Sequence, residues 1–89
     1  MSKIIVKQST KEELELLGID SWGTWTCEVS RFNWEYDDKE TCYFYEGEVV
    51  IEAEGEKFEI KPGDLVIFSK GLKCVWNIKK PVRKVYNFG

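Results

Sequence analysis

Between Phe32 and Gly47 a carboxylate stands in line with a row of aromatic rings. Phe32, Trp34 and Tyr36 occupy alternate positions, with Asn33, Glu35 and Asp37 between or after them, and Glu40 follows on the parity of the rings. Alternate side chains of a strand share one face, so the face that carries the rings carries the acid. A carboxylate on an inward face needs a partner, because an isolated buried charge is strongly unfavourable. Lys84, Arg83 or Tyr36 can supply one. With a partner, Glu40 can serve as a hydrogen-bonded group of the interior. It can also work as a general acid or base, or accept hydrogen bonds from hydroxyl or amino groups of an organic ligand. Histidine, the usual residue for that work, is absent from the chain.

Other residues extend this constellation. Glu28 shares the parity of the row, and it joins the inward face if the strand runs unbroken; a bulge would turn it away. Trp34, Tyr36 and Trp76 either fill the interior or stack a planar or sugar-like ligand, since large amphipathic rings line many small-molecule sites. Lys84 and Tyr86 share a parity near the end of the chain and can both reach the interior or both face water. Cys27, Cys42 and Cys74 show no CxxC spacing, and an odd count does not fit a disulfide framework. A free cysteine is most often a small buried hydrophobe, and a reactive thiolate here would need Lys or Arg beside it. Free thiols, with no long apolar run near the start, point to a reduced, cytoplasmic protein.

Strands must position these groups. Residues 4–6, IIV, read as a short first strand. STKEELELLG reads as one helix, with Thr10 and Glu13 as a capping box, Gly18 at its end, and Leu14 and Leu17 packing on the body. Residues 24–36 alternate as one strand, and 40–46 and 48–54 as the next two. Glu54-Gly55 centres a hairpin that turns Phe58 and Ile60 inward. Pro62 and Gly63 suit a type II turn. The apolar run 65–68 reads as a strand covered on both faces, and KGLKCVWNI and PVRKVYNF as two final strands. Many short strands separated by turns argue for a sandwich or barrel.

The 89 residues suffice for one domain, 1–89, with a single core. A net charge of -3, with Lys and Arg spread along the chain, gives no electrostatic reason to bind nucleic acid. The basic cluster Lys79, Lys80, Arg83 and Lys84 reads as a solvated terminal strand. No stretch reaches the roughly 18 apolar residues of a membrane span.

The spacing of these residues resembles that of the cupins, small jelly-roll β-barrels. Their first motif runs Gly, five residues, His-x-His, three or four residues, Glu, six residues, Gly. Here the leading Gly place is Glu28, and Trp34-Glu35-Tyr36 stands where His-x-His belongs. Glu40 follows after three residues and Gly47 after six more. The second motif runs Gly, five residues, Pro-x-Gly, two residues, His, three residues, Asn. Here Gly63, Ser69-Lys70-Gly71 and Cys74 fill the places, with Ile78 where Asn belongs and Asn77 one position early. The fifteen residues 48–62 between the motifs suit a minimal cupin. Trp, Tyr and Cys in the histidine places look like a short single-domain branch grouped with the ureidoglycine-aminohydrolase-like cupins. That group includes metal-dependent enzymes acting on small nitrogenous metabolites.

The resemblance implies an all-β, cupin-type jelly-roll barrel with one short N-terminal helix. It puts Cys74 at a ligand position, as a nucleophile, a ligand or a small buried hydrophobe. Together with the residues, it leads to a cavity that binds a small polar metabolite, sugar-like or nitrogenous. Glu40 and Cys74 are the candidates for chemistry there, and Trp34, Tyr36, Trp76, Glu28 and Lys84 for binding. We expect no metal and no cofactor, because indole cannot ligate a metal ion. Two other readings stay open: a metal-dependent cupin enzyme with a reduced Glu/Cys ligand set, and a purely structural dimeric domain. The expected partners are a small molecule and a second copy of the chain, since an aromatic-rich barrel with open edges tends to be covered. Nucleic acid and membrane are not expected.

Overall fold

A computed structural model describes residues 4–88. In chain order they form β1 (Ile4–Gln8), α1 (Lys11–Leu17), β2 (Gly23–Cys27), β3 (Ser30–Glu35), β4 (Glu40–Ala53), β5 (Glu56–Ile60), β6 (Asp64–Phe68) and β7 (Lys73–Phe88). Every strand pairing is antiparallel, in the order β1-β6-β4-β7-β2, with β3 also on β7 and β5 also on β4. The architecture is the small all-β jelly roll that the sequence suggests. Its inner face is closed by residues such as Phe44, Phe68, Ile51 and Ile60, each at most 1% exposed.

The helix forms where its signals stand. Thr10 Oγ1 accepts the Glu13 N–H at 3.2 Å, Glu13 reaches back to Thr10, and Gly18 ends the helix at φ 71°. Its packing differs from expectation. No residue of α1 is buried: Leu14 is half-buried, and Leu17 is 46% exposed. Two turns of helix lie on the outside, and the buried anchor is Ile19 in the 3₁₀ turn that follows.

Three strand boundaries also differ. Residues 24–36 are two strands, because the chain turns at Glu28-Val29. β2 then lies on the second half of β7, Val82 to Tyr86, and β3 on the first half, Lys73 to Ile78. Residues 40–53 are one strand of 14 residues, and 73–88 one of 16. The long β7 tolerates Pro81, which has no N–H to give, because its register with β4 jumps there. Glu48 pairs with Lys80, and the next pair is Glu46 with Arg83. Gly47 completes the irregularity at φ 106°, where a Cβ would come within 2.5 Å of Val82 and 2.7 Å of the Pro81 carbonyl oxygen.

The turns behave as expected. Glu54 and Gly55 take φ of 52° and 77°, the positive pair a two-residue hairpin favours. Gly63 sits at φ 92° in the next turn, where Asp64 accepts the Lys61 N–H at 3.0 Å. Buried Asp64 also accepts from the Gln8 side chain at 2.8 Å, which ties β1 to β6.

Candidate functional site

On β4, Glu40, Cys42 and Phe44 alternate with partly exposed neighbours and point inward. On β7, Lys84 lies opposite Phe44, Tyr86 opposite Cys42 and Phe88 opposite Glu40. Diagonal neighbours across such a pair are within reach of long side chains. The Lys84 stem therefore runs back along β4, and its Nζ donates to Glu40 Oε2 at 2.8 Å. The same Nζ lies 3.2 Å from Cys42 Sγ, and the Cys42 thiol donates to Glu40 Oε2 at 2.7 Å. Glu40 and Lys84 are each 5% exposed, and Cys42 is fully enclosed. Among the described residues Lys84 is the one buried lysine.

Rings surround the pair. Lys84 Nζ stands 4.9 Å from the Trp76 ring centre and 5.0 Å from that of Trp25, with Phe44 and Tyr86 a further step away. A cation over a desolvated aromatic face gains roughly 0.5–2 kcal/mol. Trp25, Phe32, Trp34, Tyr36, Trp76, Tyr86 and Phe88 enclose a cavity of about 190 Å³, and Glu40 and Lys84 are its charged members. Phe32 stacks on Trp76, Tyr36 stacks on Phe68 at 4.6 Å, and the Trp76 Nε1–H donates to the Tyr36 hydroxyl at 3.2 Å. The ring order is thus fixed by hydrogen bonding as well as by packing.

The site shifts its own titrations. Burial pushes the Tyr36 hydroxyl far above the ordinary range, and the nearby Glu40 carboxylate adds to this. Burial also pushes the Cys42 thiol well up, against the opposing pull of Lys84. Both groups stay protonated at physiological pH, the Tyr36 hydroxyl accepting from Trp76 and the Cys42 thiol donating to Glu40. Cys42 is thus a thiol that orients a carboxylate, in surroundings that do not favour the thiolate.

The structure brings Glu40, Tyr36, Trp76 and Lys84 together around the cavity, with Trp34 at its mouth, 51% exposed. It does not bring Glu28 there: the turn at Glu28-Val29 breaks the alternation, and Glu28 is exposed. Cys74 also stands apart from the cavity lining. It is buried on the inward face of β7 beside Trp76, in the core that also holds Tyr36, and it borders a separate outer groove of about 740 Å³ between β3, β7 and the β4–β5 hairpin. Burial pushes its thiol up to about 11. Among the described residues, no group of three or more His, Cys, Asp or Glu side chains is placed to hold a metal ion. From the sequence, Cys42 reads as a packing or surface residue and Trp25 as one for packing or an intersubunit face, and the structure puts both at the site. Cys42 has the parity of Glu40 and Phe44, which was a usable signal. Trp25 has the opposite parity to Phe32, and only the turn between β2 and β3 brings both rings inward.

Comparison with known proteins agrees with this fold. The model of the EutQ-like cupin domain matches residues 14–86. A crystal structure of a DUF861 family protein from Thermotoga maritima is 46% identical, covers 97% of this chain and 99% of its own, and superposes with a TM-score of 0.95. The Clostridium difficile EutQ protein is 23% identical over 93% of this chain and 64% of its own, with a TM-score of 0.68. A putative ethanolamine utilization protein Q from Salmonella typhimurium, also 23% identical, covers 93% and 66% with a TM-score of 0.66. The last two share the fold. No curated protein matches the sequence.

Proposed function

The chain belongs to the EutQ-like cupin domain family, and we propose that it binds a small polar metabolite, sugar-like or nitrogenous, in the aromatic cavity without a metal. Glu40 reads the polar groups of that molecule and exchanges a proton with it. The observation that carries this reading is the buried Lys84–Glu40 pair at 2.8 Å, set in the wall of a cavity rather than in a filled core. A barrel that only had to be stable would place apolar side chains there at no loss.

The donor set supports the metal-free reading. A divalent ion would need the place beside Glu40, and the Lys84 ammonium already supplies positive charge there. Of the histidine places, Trp34 offers an indole that cannot ligate. Tyr36 and Cys74 are held protonated by burial, whereas a metal wants deprotonated ligands. The finer kinship with the ureidoglycine-aminohydrolase-like cupins belongs to the same proposal, and rests on Trp34, Tyr36 and Cys74 in those places.

Two further proposals accompany it. A second copy covers the edge strand β1 and helix α1, where Ile5 is 51% and Leu16 89% exposed. Sedimentation at micromolar concentration is expected to show a dimer, and a monomer alone would refute this. The protein works in a reducing compartment, where its thiols stay free.

Native mass spectrometry of the untagged protein tests the main reading. We expect metal-free protein carrying a small organic adduct; a stoichiometric metal mass would overturn it. Glu40→Gln is expected to keep the fold, by circular dichroism, and to lose the adduct. An unfolded Glu40→Gln would make Glu40 a structural group instead.

A further inference from the structure

We propose that Lys84 is a covalent catalyst: its amine captures a neutral aldehyde or ketone in the aromatic cavity as an imine, with Glu40 moving the protons. The inference rests on the cavity being a binding site, and it names both the nucleophile and the substrate class. Three observations carry it. Lys84 is buried yet lines the cavity, so its amine meets a bound molecule without meeting bulk water. A carboxylate stands 2.8 Å from Nζ, within proton-transfer reach. The other walls are rings, and the cavity's two charges already neutralise each other, so a neutral carbonyl compound enters without leaving a charge unpaired.

The steps balance on these two side chains. Glu40 takes a proton from the Lys84 ammonium and frees the nitrogen lone pair. The lone pair forms the C–N bond as the carbonyl π pair moves to oxygen, and Glu40 returns its proton to that oxygen. Glu40 then removes a second proton from nitrogen, giving a neutral carbinolamine. Glu40 delivers that proton to the hydroxyl, the C–O bond breaks, water leaves, and the nitrogen pair closes the C=N bond. The ammonium and carbonyl have become a protonated imine and water, and Glu40 is again a carboxylate. A desolvated lysine beside a proton acceptor is the arrangement such a nucleophile needs. Cys42 acts as a positioning residue. Its thiol donates to Glu40 Oε2, the oxygen that Lys84 also contacts, and being fully enclosed it does not compete for the carbonyl.

The test uses the untagged full chain with benzaldehyde and sodium cyanoborohydride, which reduces an imine to a stable amine. Peptide mapping reads the label on Lys84 against the exposed Lys57, Lys73 and Lys80 as internal controls. We expect Lys84 to label at least about tenfold faster than these, as a positioned amine should. Benzyl alcohol, which has no carbonyl, should suppress the Lys84 label alone, and Lys84→Arg should abolish it. Even labelling of all lysines, or none at Lys84, overturns the proposal. Saturation-transfer NMR with benzyl alcohol separates the two failures. If benzyl alcohol binds and Lys84 stays unlabelled, the cavity remains a binding site and only the covalent step falls. If benzyl alcohol does not bind, Lys84 is not labelled and native mass spectrometry shows no organic adduct, both readings fall.

Discussion

Two hollows flank Trp34, and they differ in kind. The outer groove, about 740 Å³, has the larger volume and many charges, among them Glu35, Glu52, Lys57 and Lys73. Its Arg31–Glu52 pair, at 3.0 Å, meets water mainly on the arginine side, 59% exposed against 28% for the glutamate. The inner cavity, about 190 Å³, has one ion pair, and rings cover it. Charge attraction grows as water is removed, so the single inner pair matters more than the several outer ones. Two cysteines are buried on these walls: Cys42 hydrogen-bonds the Glu40 carboxylate, and Cys74 lies in the core beside Trp76 and borders the groove.

That contrast can be broken most sharply at Lys84. Lys84→Met leaves the Glu40 charge buried without its cation, and a loss of about 3–5 kcal/mol is expected in urea unfolding. Restoring neutrality with Glu40→Gln in the same chain should return much of it. A loss under about 1 kcal/mol for the single variant would mean that the inner pair is solvated like the outer ones.

Alkaline pH sharpens the contrast between the thiols. Cys74 is raised from 9.0 to about 11 in the folded chain. A raised acid adds stability that is fully present below its unfolded value and is lost as pH rises through the folded one. Unfolding free energy should therefore fall between pH 9 and 11, by up to about 1.4 kcal/mol per pH unit for each such group. Cys42 and Tyr36 are shifted in the same direction. Cys74→Ala should flatten the slope by one group's share while leaving the Cys42 and Tyr36 contributions. An unchanged slope would show that Cys74 is open to water.

The smallest effect belongs to the groove. Arg31→Ala removes an exposed pair and should cost less than about 1 kcal/mol in the same unfolding assay. A larger loss would make the groove part of the protein's stability rather than a solvated face.

Much of this molecule is written locally. The helix cap at Thr10 and Glu13, the turns at Gly55 and Gly63, and the inward row of β5 follow from adjacent residues, and each could be read before the fold was known. Glu40 could be singled out by parity. What was not legible depends on pairing over long distances. The turn at Glu28-Val29 reverses the facing of Trp25 relative to Phe32, and no residue there is a Gly or Pro that announces it. Pro81 reads as a strand break, yet β7 continues because Gly47 on the opposing strand takes up the irregularity. Lys84 could be placed only by the register of β7 on β4. The motif spacing was a good guide to the barrel.

The rings around Lys84 have an optical consequence. Indole emission responds to the electric field across the ring, and two of the chain's four tryptophans, Trp76 and Trp25, lie 4.9 and 5.0 Å from the same ammonium. Any event that moves or neutralises that charge changes the light these indoles emit. The protein therefore carries an internal, label-free fluorophore pair that reports on the charge at Lys84.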